Sequence, residues 1–270
     1  MSTFIVGGLV FVMVLNVIMF FIAFRMQTDK LTDITYSLSF FALAAFAFFI
    51  GRGLESLGKI WITLLIVIWA IRLGWYLLDR VTQLGKDERF DKIRVNKKRF
   101  FRFFVLQGFA SWVVSLPALM RLNVANPDGS LVLVEIIGIA LAAIGLYIEA
   151  ASDYSKSKFK KLPGNKSKLY TDGWYKHIRY PNYLGESIFW IGIFVASVPY
   201  LQGLQYLSVL GTIFIIFLLI FVSGIPLLER GRAKRLKGDV SYQEYLKRTK
   251  KIIPWVYSVS YTHLTLPTKA

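Results

Sequence analysis

Two pairs of polar side chains flank a long basic segment near the middle of the chain. Glu149 and Asp153 stand four residues apart, and so do Asn182 and Glu186. Residues at this spacing share one face of a helix, so each pair is expected to project to one side. Both pairs lie where an apolar stretch meets the polar segment, which predicts a polar pocket half inside a membrane. Ionisable groups at that depth are costly and indicate function by default, with snorkelling and interfacial anchoring as the alternative.

The segment between the two pairs carries Arg179 and several lysines, which are side chains suited to phosphate groups. No Gly-x-Gly-x-x-Gly turn follows a strand pattern, so a Rossmann site is excluded. The chain has no cysteine, and its two histidines are His177 and His263. These counts exclude a disulfide framework, a thiolate zinc site, an iron–sulfur cluster and a metal centre built from histidines. We therefore predict no metal.

Long apolar stretches must position these groups. The chain is 55% apolar and 18% charged, which is typical of a membrane protein and not of a soluble domain. A helix needs roughly 20 mostly apolar residues to cross a bilayer. We predict an all-α, polytopic membrane protein with seven transmembrane helices in one domain. The seven stretches are Phe4–Phe24, Leu31–Ile50, Ile60–Leu78, Phe100–Met120, Leu131–Ala151, Tyr183–Tyr200 and Tyr206–Leu228.

The distribution of the 33 lysines and arginines predicts the orientation. Most of them follow the first, third, fifth and seventh stretches, whereas Arg52, Lys59 and Arg121 lie on the other side. Basic loops stay in the cytoplasm, so we expect the N-terminus outside and the C-terminus in the cytoplasm. We expect an integral protein of the bacterial inner membrane whose partners include membrane lipids. Nothing in the basic loops resembles a nucleic-acid-binding fold, and no obligate protein partner is evident.

The last residues are interpreted as non-native. Residues 259–270 begin Val259-Ser-Tyr-Thr-His-Leu-Thr-Leu-Pro-Thr268, which resembles the translation of an adapter used in DNA sequencing. A natural polar tail is the alternative. We expect residues 1–258 to form the single native domain, so His263 is not a functional candidate.

The segment from Gly173 to Glu186 resembles the steroid 5-alpha-reductase family, in the bacterial branch often described as a domain of unknown function. That branch typically has G-L-W-x-x-S-R-H-P-N-Y-x-G-E, and this chain has G-W-Y-K-H-I-R-Y-P-N-Y-L-G-E. Its departures from the pattern include Trp174, where leucine is usual, and Tyr180, where histidine is usual. Similarity extends to these further segments: Gly85–Phe90, Ser152–Tyr154, Pro163–Gly164, Leu184–Trp190, Pro226–Arg230, Tyr245 and Ile253–Trp255.

This resemblance implies a membrane reductase that uses NADPH to reduce an electron-poor C=C bond. The implied reaction is 5-alpha-reduction of the 4,5 double bond of a 3-oxo-4-ene steroid, or of a similar lipophilic enone that arrives from the bilayer. Asp153, Asn182 and Glu186 would hold the nicotinamide side, and Tyr245 would lie near the adenine side. The complete set of cofactor-binding residues implied is Arg89, Asp153, Lys158, Lys160, Arg179, Asn182, Tyr183, Glu186 and Tyr245.

The reaction needs an acid beside the C3 carbonyl oxygen, because a hydrogen bond there makes C5 electrophilic. The family places a glutamate near the start of the second helix, and Asp33 is the acid at the corresponding place. Desolvation disfavours its anion, so Asp33 is expected to stay protonated, with Tyr36 as a further donor on the same helix face. The alternative for Asp33 is a charge favoured at a helix N-terminus.

The third apolar stretch carries Trp69, Arg72 and Tyr76 on one helix face. An arginine deep in a span must point inward and find an anion. Trp69 or Tyr76 would then supply the second carbonyl donor, which the family takes from a tyrosine.

Two other functions are compatible with parts of the pattern. Isoprenylcysteine and phospholipid methyltransferases share an R-H-P-x-Y core with the motif and use S-adenosylmethionine. A seven-helix transporter or receptor would use the buried acids as substrate ligands, but transporters concentrate polar groups near the midplane of the membrane.

Overall fold

The computed structural model describes residues 2–28, 30–84, 96–126, 129–166 and 168–252. Over these residues the protein is all-helical, as predicted, and contains no strand beyond an isolated bridge. The α-helices are α1 (Ser2–Arg25), α2 (Lys30–Ile50), α3 (Leu57–Leu84), α4 (Lys97–Asn123), α5 (Leu133–Lys161), α6 (Pro181–Ser197), α7 (Val209–Phe217), α8 (Ile225–Arg235) and α9 (Val240–Arg248).

Seven segments of this described part are long and apolar enough to cross a membrane, which confirms the predicted number. They are α1 to α6 and a seventh segment, Gly203–Arg235, that contains α7 and α8. Helix α5 continues to Lys161, well beyond the predicted end at Ala151. Its last turn is basic, and cations near a helix C-terminus interact favourably with the helix dipole. Several lysines assigned to a loop by the sequence therefore lie on a helix.

Successive spans alternate in direction, so the bundle has two distinct ends. The basic end holds the last turns of α1, α3 and α5 and the first turns of α2, α4 and α6. The turn end holds the short connections after α2, α4 and α6, where the backbone N–H of Arg52 donates to the carbonyl of Leu122 at 2.9 Å. Which end faces the cytoplasm stays a prediction.

Helices α5 and α6 pack with their backbones in contact, which brings the two predicted polar pairs together. A Cβ atom added to Gly138 would lie 2.2 Å from the backbone nitrogen of Ala196. One added to Gly185 would lie 2.5 Å from the backbone nitrogen of Glu149. Small residues allow such close approach between membrane helices. Glu149 on α5 and Glu186 on α6 consequently lie at the same level of the bundle.

A layer of buried aromatic rings joins α2, α3 and α6 beneath these acids. Phe40, Trp69, Phe189 and Trp190 are fully buried. The ring centroid of Trp69 lies 5.0 Å from that of Phe40 and 5.5 Å from that of Phe189. These separations lie in the range that favours aromatic pairs. This aromatic layer separates the polar groups at the basic end from the rest of the bundle interior.

The seventh segment is interrupted, although the sequence predicted a continuous helix over Tyr206–Leu228. Helix α7 ends at Phe217 and is followed by a π-helical turn over Leu218–Val222. Pro226 then lies in the first turn of α8, where its missing N–H is tolerated. The break separates the apolar α7 from the basic α8.

Helix α9 and the residues that follow it bind the segment that precedes α6. Ile178 and Lys250 form a parallel bridge, and the backbone N–H of Arg179 donates to the carbonyl of Lys250 at 2.8 Å. The Tyr245 hydroxyl of α9 donates to the carbonyl of Tyr175 at 2.9 Å. These contacts were not predicted from the sequence, and they fix the loop that leads into the motif residues of α6.

Candidate active site

A buried ion cluster lies at the basic end, between α3 and α5. Nη1 of Arg72 lies 2.9 Å from Oδ2 of Asp153, and its Nη2 donates to Oε1 of Glu149. The indole Nε1 of Trp69 donates to Oε2 of Glu149 at 2.9 Å. Glu149 and Asp153 are buried. The predictions that Arg72 meets an anion and that the two acids share a helix face are confirmed.

A third acid, Glu186 of α6, is buried beside this cluster. It lies within electrostatic range of Arg72, so one guanidinium faces three carboxyl groups. Burying anions in excess of cations is unfavourable unless donors satisfy them. The cluster therefore suits a ligand that brings hydrogen-bond donors, such as a carboxamide or sugar hydroxyls.

A cavity of about 350 Å³ opens at the basic end. Among the residues that the structure describes, its lining contains six basic side chains and one acid, Asp79. Asp79 lies 2.9 Å from Nζ of Lys161 and accepts a hydrogen bond from Ser157. The basic lining residues are Lys156, Lys160, Lys166, Lys168, Arg232 and Arg235. Such an excess of positive charge suits a ligand with several phosphate groups.

Two tyrosines line this cavity, and one of them lies within electrostatic range of the ion cluster. Tyr76 follows Arg72 by one turn of α3, and Tyr175 is 2% exposed. Burial, with a smaller effect from the charge of Asp153, raises the pKa of the Tyr175 phenol well above its ordinary value. This hydroxyl has no hydrogen-bond partner among the residues that the structure describes. It is a protonated donor within electrostatic range of Asp153, available to a ligand.

Tyr180, which replaces the usual histidine of the motif, has a clear structural role. Its ring lies 4.9 Å from the guanidinium carbon of Arg232 and stacks on Tyr183 at a centroid distance of 5.9 Å. Burial raises the pKa of the Tyr180 phenol, so the ring stays neutral. A guanidinium over an aromatic face is attracted to the ring. Tyr180 thereby holds Arg232 at the cavity.

The predicted catalytic residues lie on the elements around the cluster. Asp33 is half-buried in the first turn of α2, at the basic end. Tyr36 lies one turn further along, 5.1 Å from Phe40 between ring centroids and within electrostatic range of Glu186 and Glu149. Trp69 uses its N–H on Glu149, and Tyr76 lines the cavity. The catalytic roles of these four residues stay predictions.

Among the predicted cofactor ligands, Asp153 and Glu186 lie in the ion cluster and Lys160 lines the cavity. Asn182 and Tyr183 are half-buried in the first turn of α6, one turn before Glu186. These residues are brought to one region of the molecule.

The other predicted ligands are placed differently. Arg179 is buried and pairs with Glu229 at 3.1 Å. Lys158 is exposed and outside the cavity lining, and Tyr245 is buried against the carbonyl of Tyr175. Arg89 lies outside the described residues.

Several residues of the site were not predicted from the sequence. The sequence predicts that Glu149 and Arg72 are polar groups of the spans, but it assigns no role to the lining residues Tyr175, Arg232 and Arg235. Tyr175 lies inside the recognised motif, and the two arginines follow the Pro226–Arg230 similarity directly. Their places in or next to segments similar to the family are the signals that could have identified these three lining residues.

Comparison with known families gives one match over most of the chain. The model of a family described as "Protein of unknown function (DUF1295)" matches residues 19–249. The chain belongs to this family. The match extends over all predicted site residues from Asp33 to Tyr245. It confirms the predicted branch described as a domain of unknown function, and that description states no reaction.

A shorter similarity concerns a curated fungal protein. A segment of 68 residues is 35% identical to the "Probable O-methyltransferase ustE" of Ustilaginoidea virens. The segment covers 25% of this chain and 24% of that protein, so the chain matches about a quarter of its relative's length. No solved structure gives a significant match.

Proposed function

We propose that this protein is an integral membrane reductase that uses NADPH to reduce the 4,5 double bond of a 3-oxo-4-ene steroid or a similar lipophilic enone. One observation carries the proposal, namely a cavity lined, among the described residues, by six basic side chains, with the lining residue Tyr175 within electrostatic range of Asp153 in the Arg72 ion cluster. This arrangement pairs a phosphate-binding region with a region that favours hydrogen-bond donors.

The phosphate-bearing half of NADPH fits the basic lining. A dinucleotide with a pyrophosphate and a 2′-phosphate carries several negative charges, which arginine and lysine bind well. Arg232 and Arg235 on α8 and Lys166 and Lys168 after α5 are the residues that would hold these groups. NADPH, when bound, supplies a hydride.

The nicotinamide-bearing half of NADPH fits the acids of the ion cluster and the neighbouring Tyr175. Glu149, Asp153 and Glu186 can accept hydrogen bonds from the carboxamide and from ribose hydroxyls. The unpartnered hydroxyl of Tyr175 is a donor for the carbonyl oxygen of the same carboxamide. The chain therefore offers both acceptors and a donor where the reactive ring would be oriented.

The substrate side is formed by α2 and the aromatic layer. Phe40, Trp69 and Trp190 exclude water from this level of the bundle. In this proposal Asp33, in its protonated form, donates a hydrogen bond to the C3 carbonyl oxygen, with Tyr36 as the neighbouring phenol. This donor withdraws electrons from C5, so the carbon that receives the hydride becomes electrophilic.

The same proposal includes an orientation. The basic end faces the cytoplasm of a bacterial inner membrane, because basic connections are retained on that side. Cytoplasmic NADPH then reaches the cavity from water, and the lipophilic substrate reaches the aromatic layer from the bilayer.

The second candidate is a methyltransferase that uses S-adenosylmethionine, and the segment similar to the fungal O-methyltransferase favours it. S-adenosylmethionine has no phosphate, so this function gives no reason for the six basic lining residues. The reductase is therefore the function that the site supports best.

The proposal is tested by reversing one charge in the cavity. Arg235→Glu should raise the Kd for NADPH by at least about tenfold, since a charge-assisted hydrogen bond contributes roughly 1.5–3 kcal/mol. The matched control is Arg25→Glu, at the exposed end of α1. Equal NADPH affinities for both variants and the wild-type protein would show that the cavity does not bind the cofactor.

A further inference from the structure

The side chain of Lys160 is bonded to its own chain and not directed freely into the cavity. Its Nζ donates to the carbonyl oxygens of Lys166 at 2.9 Å and Asn165 at 3.4 Å, and also to that of Lys168. All three acceptors are backbone atoms from the segment that follows α5. We call residues 162–166 and 168–170 the strap.

These contacts use the full donor capacity of the lysine. A lysine ammonium has three N–H donors and no acceptor. With three carbonyls bound, Lys160 has no donor left for a phosphate oxygen unless the strap is released. Its ammonium also satisfies carbonyls just beyond the C-terminus of α5, where intrahelical partners are missing.

The strap itself forms one wall of the cavity. Lys166, Lys168, Leu169 and Tyr170 all belong to the lining. The ring of Tyr170 lies 5.1 Å from that of Phe159 on α5 and 5.4 Å from that of Tyr175, between centroids. The aromatic contacts anchor one end of the strap, and Lys160 anchors the part that carries the two lysines.

We propose that Lys160 is a positioning residue, which holds the strap so that Lys166, Lys168 and Tyr170 form the wall of the anion cavity. The proposal rests on the proposed function for the identity of the anion, but the anchoring itself does not. It reassigns Lys160, which the family resemblance includes among the cofactor-binding residues, to an indirect role through the strap.

Limited proteolysis tests the anchoring without any nucleotide. Lys160→Met removes the three donors and keeps an unbranched side chain that is one atom shorter, so trypsin should cleave after Lys166 and Lys168 at least about tenfold faster. Lys160→Arg, which can still donate to several carbonyls, should be cleaved at close to the wild-type rate. The matched control is Lys158→Met, an exposed lysine on the same helix turn. Cleavage of Lys160→Met at the wild-type rate would overturn the proposal.

A measurement on the wild-type protein covers the case in which Lys160→Met does not fold. Lysines are acetylated with a water-soluble reagent, and the rate at each site is followed by mass spectrometry. Once each rate is corrected for the fraction of neutral amine, obtained from its pH dependence, Lys160 should react at least about tenfold more slowly than Lys158, because its nitrogen is enclosed by carbonyls. Equal corrected rates at the two sites would contradict the anchoring.

Nucleotide binding then separates a positioning role from a direct contact. If the strap is displaced, Lys160→Met should raise the Kd for NADPH and for NADH by the same factor, leave kcat unchanged, and be rescued by Lys160→Arg. A loss confined to NADPH, with normal resistance to trypsin, would make Lys160 a direct 2′-phosphate ligand and overturn the proposal. A wild-type protein that binds neither dinucleotide would refute the proposed function, while the cleavage rates would still decide the anchoring.

Discussion

Nη1 of Arg72 lies 2.9 Å from Oδ2 of Asp153, and this ion pair joins α3 to α5 at the basic end of the bundle. Arg72 also bonds Glu149, so a single side chain pairs with both acids that α5 places at the basic end. The pair thus has two roles, because it stabilises the bundle and arranges the acceptors that a ligand would meet.

Removing Arg72 should affect both stability and binding. Arg72→Met leaves Glu149 and Asp153 buried without their cation, which typically costs about 3–5 kcal/mol. We expect a lower midpoint of thermal unfolding in detergent and a loss of NADPH binding by fluorescence titration. Arg25→Met, at an exposed position at the same end of the bundle, is the matched control and should change neither quantity. An Arg72→Met protein with wild-type stability would contradict the role of this ion pair.

The turn end contains a second buried ion pair that offers a contrast. Nη2 of Arg121 lies 2.7 Å from Oε1 of Glu135, both side chains are fully buried, and the guanidinium stacks on Tyr200 at 3.5 Å. Arg121→Met should destabilise the protein by a similar amount, about 3–5 kcal/mol. Since this pair lies at the opposite end from the cavity, the folded fraction should bind NADPH with wild-type affinity. A large rise in Kd for NADPH would show that the two ends are coupled.

Close contact between α5 and α6 predicts the effect of a single methyl group. In Gly185→Ala the new Cβ would lie 2.5 Å from the backbone nitrogen of Glu149, so the two helices must separate. Overpacking of this kind costs about 1–3 kcal/mol, and we expect weaker NADPH binding because Glu149 and Glu186 move apart. Gly8→Ala is the control, since its Cβ would lie 3.4 Å from a side-chain atom of Phe46, a tolerable contact. Equal NADPH affinity in the two variants would argue against a ligand between α5 and α6.

Asp33 is predicted to act in turnover and not in cofactor binding. Removing one donor to a developing oxyanion typically lowers kcat by ~10²–10³. Asp33→Leu should therefore lose essentially all reduction of progesterone or testosterone, measured as loss of the enone absorbance, while its Kd for NADPH is unchanged. Asp33→Asn keeps a donor but no transferable proton, so it should lose most of the activity. Turnover of Asp33→Leu at the wild-type rate would assign the acid to another residue, with Tyr36 and Tyr76 tested next.

Much of the architecture could be predicted because it depends on local composition. Apolar length predicted the seven spans, and the cost of burying a charge predicted that Arg72 would meet an acid. The spacing of Glu149 and Asp153 placed them on one helix face before any tertiary contact was known. These inferences need only the helix period and the polarity of the bilayer.

The remaining parts of the site depend on contacts between residues far apart in sequence. Tyr180 holds Arg232, and Tyr245 binds the carbonyl of Tyr175, and neither contact leaves a periodic signal in the sequence. The bonds from Lys160 to the strap depend on where α5 ends, and helix ends are poorly defined by sequence. The sequence therefore predicted the region of the site better than the partner of each side chain.

The most direct test of the account is a ligand titration of the purified wild-type protein in detergent at constant ionic strength. NADPH, NADH and S-adenosylmethionine are titrated in parallel, with protein fluorescence as the signal. The account predicts saturable binding of NADPH, at least about tenfold weaker binding of NADH because the 2′-phosphate is missing, and no binding of S-adenosylmethionine. Saturable binding of S-adenosylmethionine without binding of NADPH would contradict the reductase and favour the methyltransferase.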